Sequence, residues 1–136
     1  MENSELSLTE DQKTSLQKLN VVLLYLHGSV AAGTARANSD ADVAALFEKT
    51  PTDSIEATAA IHEALRGLFP ERELDVAILN EASPLLKQAV ASEGKLLYAR
   101  SSDDTLRYEL RAMHDYEYSR HVVRLGQELL LKRVNL

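Results

Sequence analysis

Apolar residues along this chain fall into two kinds of stretch that alternate: short dense runs and longer periodic ones. Val21-Val22-Leu23-Leu24-Tyr25-Leu26 is a dense run ending at His27-Gly28. Its length and β-branched content predict a buried strand rather than a helix. Val43-Ala44-Ala45-Leu46-Phe47 and Leu74-Asp75-Val76-Ala77-Ile78-Leu79 predict two more strands, and Leu96-Leu97-Tyr98 a short edge strand. The stretches between them have helical signals. Thr9-Glu10-Asp11-Gln12 reads as a capping box opening a first helix, with Leu16 and Leu19 as its apolar contacts. Pro51-Thr52-Asp53 breaks the chain, and Asp53 caps a second helix with Glu56 at its third position. Ile55, Ala59, His62, Leu65 and Leu68 share one face of that helix, and Phe69-Pro70 ends it. Ser83-Pro84 starts a third, with Leu85, Leu86, Ala89 and Val90 as its buried stripe and Gly94 as its C-terminal cap.

From about Asp103 to Lys132 the pattern is helical throughout. Leu106, Leu110, Met113, Val122, Leu125 and Leu129 recur at three- and four-residue steps, with an interruption around Glu117. Gly126 weakens this helix by about 1 kcal/mol relative to Ala and marks a place for a bend. Residues 1–8 are expected to fray, and residues 9–136 to form one domain. Strands separated by helices predict an α/β layered fold. The pattern alone does not choose between a small mixed sheet and a small doubly wound one.

Composition narrows the classes. A chain of 136 residues is long enough for one packed core. Its 15 basic against 21 acidic residues, net charge −6, argue against broad nucleic-acid binding, which depends on neutralising phosphates. Without cysteine there are no disulfides and no Cys-based zinc sites. Met1-Glu2-Asn3-Ser4-Glu5 has neither the basic nor the apolar region of a signal peptide, and no run approaches the length of a membrane span. A cytoplasmic protein is the default expectation.

The chemistry concentrates in Leu26-His27-Gly28-Ser29 and, after ten residues, Asp40-Ala41-Asp42. A Gly-Ser turn directly after a buried strand offers backbone N–H groups to phosphate oxygens, and Gly28 lets a ligand approach closely. Ser29 opens a short helix running through Val30 to Gly33. Residues i and i+2 of a strand face the same side, so Asp40 and Asp42 project together. Two close carboxylates are unfavourable without a cation, and Mg²⁺ resolves the conflict. Asp75 completes a three-carboxylate cluster if its strand lies beside that of Asp42. Such a cluster suits two Mg²⁺ ions and in-line phosphoryl displacement.

Gly28-Ser29, the ten-residue spacer and Asp40-X-Asp42 resemble the signature of the DNA polymerase β-type nucleotidyltransferase superfamily. The chain is similar to the smallest members, the minimal nucleotidyltransferase (MNT) domains. Glu73-Leu74-Asp75-Val76-Ala77-Ile78-Leu79-Asn80, Ser83-Pro84-Leu85-Leu86 and Glu93-Gly94-Lys95-Leu96-Leu97-Tyr98 extend the likeness to MNT antitoxins. Those proteins are paired with HEPN-domain ribonuclease toxins. The resemblance implies a small mixed sheet with helices on one side, as in the polymerase β palm. It implies transfer of AMP from ATP to a tyrosine hydroxyl of the toxin with Mg²⁺. Gly28 and Ser29 would hold the triphosphate, and Asp40, Asp42 and Asp75 the metals. Many members carry Arg where this chain has Ala31, which leaves Arg36 and Arg72 as the nearby cations and Arg36 as a candidate ATP contact.

Other residues have plainer readings. His27 is expected to pack beside the first strand and His62 to be a core or boundary residue. His114 and His121, seven residues apart, lack the i, i+4 spacing of a metal pair. Tyr108, Tyr116 and Tyr118 are expected to pack or lie at the surface. Arg120, Arg124, Lys132 and Arg133 suit a helix C-terminus. Two alternative functions stay open: transfer to a small molecule or RNA, and a binding-only antitoxin with vestigial catalysis.

Overall fold

The computed structural model describes residues 6–134. Its elements are α1 (Glu10–Lys18), β1 (Val21–His27), α2 (Gly28–Ala32), β2 (Ala41–Phe47), α3 (Ser54–Ala64), β3 (Leu74–Ile78), α4 (Pro84–Glu93), β4 (Lys95–Ala99) and α5 (Ser102–Val134), with a 3-10 turn at Leu79–Glu81. The strands form one four-stranded sheet in the order β3-β2-β1-β4. β1 runs antiparallel to β2 and β4, while β2 and β3 are parallel. A parallel pair needs a long crossover, which α3 supplies. The mixed sheet, the flanking helices and the long C-terminal helix agree with the expected α/β architecture.

Helices cover both faces of the sheet, not one as the resemblance implied. Along β1, Leu24 and Leu26 join α1 and α3 through Leu16, Ile61 and Leu65. Leu23 and Tyr25 join α4 and α5 through Val90, Tyr108 and Ala112. Residues 21–26 are all buried, and a strand apolar on both faces must be sandwiched. Leu8, expected to fray, is buried in the first of these clusters. Of the rest of the expected frayed segment, Leu6 and Ser7 are exposed and outside any helix or strand, and residues 1–5 lie outside the described residues.

Capping signals translate directly into helix starts. Thr9 N–H donates to Gln12 Oε1 (2.9 Å) and Gln12 N–H to Thr9 Oγ1 (3.1 Å), the reciprocal box. Asp53 accepts from Glu56 N–H (3.1 Å) and Ser83 from Leu86 N–H (3.2 Å). Helix faces translate less well. In α3 the packed residues are Ile61, Ala64 and the adjoining Leu65, while Ile55 is 84% exposed and Ala59 and His62 face solvent. The expected face assumed a helix reaching Phe69, but α3 ends at Ala64 and Gly67, at φ +87°, turns the chain ahead of Pro70. In α4 the expected stripe loses Leu85, which is exposed.

α5 is one continuous helix of 33 residues, with no break at Glu117 or Gly126. At about 1.5 Å per residue it is roughly 50 Å long and outruns the sheet. Its buried side chains are Tyr108 and Ala112, so the periodic stripe from Leu106 to Leu129 faces solvent instead. Tyr25 OH donates to Glu109 (2.9 Å) and Tyr108 OH to the Lys87 carbonyl (2.8 Å), tying α5 to β1 and α4.

The β2–β3 register is fixed at both ends. Ala41 N–H donates to the Glu73 carbonyl (2.8 Å). At the far end the Asn80 side-chain amide brackets Phe47, accepting from its N–H and donating to its carbonyl, both at 2.9 Å. Asn80→Ala is expected to cost about 1–3 kcal/mol, the range for leaving partly buried backbone groups unpaired, read as a lower denaturant midpoint.

Candidate active site

The register aligns three polar side chains across the sheet. His27 pairs with Asp42 on the antiparallel side, and Asp42 pairs with Asp75 on the parallel side. Paired residues of adjacent strands share a face, so His27, Asp42 and Asp75 form one row over β1, β2 and β3. Gly28 follows His27 at φ +75°, in the left-handed region that favours glycine. A Cβ at Gly28 would overlap Asp42 Oδ2. Glycine is therefore needed twice, for the turn and for the closeness of the turn to the carboxylate. Ser29 is half-buried in the five-residue α2, which Gly33 closes at φ +78°.

Burial raises the pKa of Asp42 above the usual carboxylate value. The His27 imidazole opposes this, while Asp75, by its charge and a hydrogen bond, and the Asp40 charge add to it. Asp75 and Asp40 are both exposed. Asp40 stands just before β2 rather than in the strand, directly after a turn formed by residues 36–39. Asp42 and Asp75 are thus brought together, with Asp40 close enough to be felt by Asp42. As the side chains stand, among the described residues no group of three or more His, Cys, Asp or Glu is arranged to hold a metal ion, and the closest approach is that of Asp42 and Asp75. The pair itself fits a hard cation in kind, because its donors are carboxylate oxygens forced into mutual repulsion.

Two residues enter the site that the sequence reading placed elsewhere or left general. His27, expected merely to pack, belongs to the row, and its Nε2 is buried without a hydrogen-bond partner among the described residues. Its adjacency to Gly28 was the available signal, but the pairing with Asp42 needed the register. The sequence offers Arg72 only as a nearby cation; in the fold its Nη1 donates to the carbonyls of Arg36 (2.8 Å) and Ser39 (2.9 Å). The Arg36 side chain is exposed at the rim.

A mixed sheet carrying a Gly-Ser turn beside paired carboxylates defines a nucleotidyltransferase. Residues 10–103 match the family Polymerase beta, Nucleotidyltransferase, and the chain belongs to it. Among its relatives is the protein adenylyltransferase MntA of Shewanella oneidensis, 32% identical over 117 residues covering 86% of this chain and 78% of that protein. A second MntA, from Aphanizomenon flos-aquae, is 28% identical over 79% of each chain. Two crystal structures share the fold over nearly the whole length. One is of a toxin–antitoxin with AMP-PNP, at TM-score 0.64 and 27% identity, covering 94% of this chain and all of that one. The other is of a mutant MntA–HpeT toxin–antitoxin, at TM-score 0.66 and 26% identity, covering 96% and 100%.

Gly28→Ala is expected to abolish at least 99% of transfer activity and to cost about 1–3 kcal/mol, because the new Cβ strains the backbone and displaces Asp42. Steady-state rates and a denaturation curve measure both. A carboxyl with a raised pKa binds its proton more tightly in the folded chain than in the unfolded one. The stability it contributes is complete at low pH and is lost as pH rises through the raised value. Asp42→Asn removes that loss. In metal-free buffer the variant should melt above the parent at about pH 7, and the difference should vanish towards about pH 4.

Proposed function

We propose that this chain is an antitoxin that transfers AMP from ATP to a tyrosine hydroxyl of a partner HEPN ribonuclease toxin and so neutralises it. The observation carrying this reading is the junction of the Gly28 turn with the Asp42–Asp75 pair, in a chain 32% identical to a protein adenylyltransferase. The likeness to toxin–antitoxin structures, one of them solved with AMP-PNP, supports a protein partner that completes the site. The solvent-facing apolar side chains of α5, from Leu106 to Leu129, are of the kind a protein partner covers.

The chain's residues divide the work. Gly28 and Ser29 hold the β- and γ-phosphates through backbone N–H groups and the serine hydroxyl, and Arg36 reaches the triphosphate from the rim. This leaves the α-phosphorus over the carboxylate row. Asp42 and Asp75, with Asp40 from just before β2, would hold Mg²⁺, which when bound neutralises phosphate charge and lowers the pKa of an acceptor hydroxyl. The tyrosyl oxygen forms its bond to the α-phosphorus as the bond to the β-phosphate oxygen breaks and pyrophosphate leaves. The exposed Asp75 carboxylate takes the hydroxyl proton. Catalysis is mainly positioning and charge neutralisation.

Two measurements test this reading. With Mg²⁺ and AMP-PNP at about a hundredfold excess over Kd, the wild type should gain about 2–3 kcal/mol of stability. Asp42→Ala should gain far less. In cells expressing the toxin, Asp42→Ala should still co-purify with it yet fail to restore growth. Growth restored by that variant would favour an antitoxin acting by binding alone.

A further inference from the structure

The segment from Gly33 to Asp40 joins α2 to β2 and contains no buried residue. Loops without buried apolar anchors occupy the low-stability end of a structure. This one nevertheless has to hold Arg36 and Asp40 in place. Within it residues 36–39 form a tight turn: Ser39 N–H donates to the Arg36 carbonyl (3.0 Å) and Arg36 N–H to Ser39 Oγ (2.9 Å). What ties this turn to the body of the domain is Arg72, half-buried just ahead of β3. Its Nη1 carries two N–H groups, and the two carbonyls they serve, Arg36 and Ser39, are the first and last of the turn. Hydrogen bonds from a charged donor are the stronger kind. The next link along the chain is the Ala41 N–H to Glu73 carbonyl bond, the first rung between β2 and β3.

We propose that Arg72 is a positioning residue of the transfer site: by clamping both ends of the 36–39 turn it fixes Arg36, the first residue of the turn, and Asp40, which follows its last. The assignment rests, for the reaction concerned, on the function proposed above. It divides the cations of the site by task. Arg36 faces the substrate, and Arg72 holds the backbone from which Arg36 and Asp40 project. Loss of the clamp is expected to leave the core in place, because no residue of the turn belongs to either core cluster. It frees the turn, so that ATP binding and catalysis both have to order it again.

The test compares Arg72→Met and Arg72→Lys with the wild type by amide hydrogen exchange, melting temperature and steady-state AMP transfer. In Arg72→Met the amides of residues 34–40 should exchange about tenfold faster while those of β1 keep their protection. The melting temperature should stay within a few degrees. The KM for MgATP should rise and kcat fall, lowering kcat/KM by about 10- to 100-fold, the scale of small misplacements in an active site. Arg72→Lys, which keeps a charged donor, should recover most of the exchange protection and part of the activity. Unchanged exchange at 34–40 in Arg72→Met would overturn the clamp. Faster exchange with kcat/KM within twofold of wild type would overturn its role in positioning. A wild type without transfer activity would refute the functional reading, while the exchange data would still decide whether Arg72 holds the turn.

Discussion

The parallel register between β2 and β3 sets Asp42 against Asp75, and nearly everything else at this end of the sheet follows from that enforced meeting of two carboxylates. Left alone, two like charges on adjacent strands would push the strands apart. Here they cannot separate. The strands are locked by backbone bonds near Glu73 and by the Asn80 amide at the far end, and both lie over a core that fixes their spacing. Burial first, and then this enforced proximity, keep the Asp42 pKa raised, and the pair is left with a demand for a cation.

The same end of the sheet collects other local costs. Gly28 and Gly33 sit at positive φ, and the His27 Nε2 is buried without a partner among the described residues. The glycines meet their turns at no steric cost, but the orphaned imidazole nitrogen runs against the local rules that make a chain fold, and such violations gather where function needs them. The stability that tolerates them comes from β1, apolar on both faces and covered from both sides. A nucleotidyl-transfer site thus rests on one over-stabilised central strand, flanked by a functional strand pair on one edge and by β4 on the other.

The dense apolar runs made all four strands legible in the sequence, because a run of that kind has few other uses. The caps at Thr9, Asp53 and Ser83 were legible because each is a local bond between residues three apart. The faces of α3 and α5 were not. A periodic stripe tells which residues share a side, and not which side the rest of the molecule will cover. In α3 an early exit near Gly67 selected the face of Ile61 and Leu65, and in α5 the buried contacts fell to Tyr108 and Ala112, off the leucine stripe. Gly28, Ser29, Asp40, Asp42 and Asp75 stand out as candidates from motif and spacing, since phosphate and metal chemistry restrict residue types strongly. The difference in standing between Asp42 and Asp40 depends on where β2 begins, and the row with His27 on a pairing across β1. The clamping role of Arg72 comes from tertiary hydrogen bonds more than thirty residues long in sequence, which no local pattern encodes.

The Asp42–Asp75 strand pair, beside the Gly28 turn, is proposed to move AMP onto a partner protein. Intact-mass spectrometry of the cognate HEPN toxin, after incubation with the chain and MgATP, tests it most directly. Run in parallel with Asp42→Ala, the wild type should add one or more AMP units to the toxin and the variant none. A toxin that forms a stable complex with the wild type, is neutralised by it and yet keeps its original mass would rule out AMP transfer as the means of neutralisation.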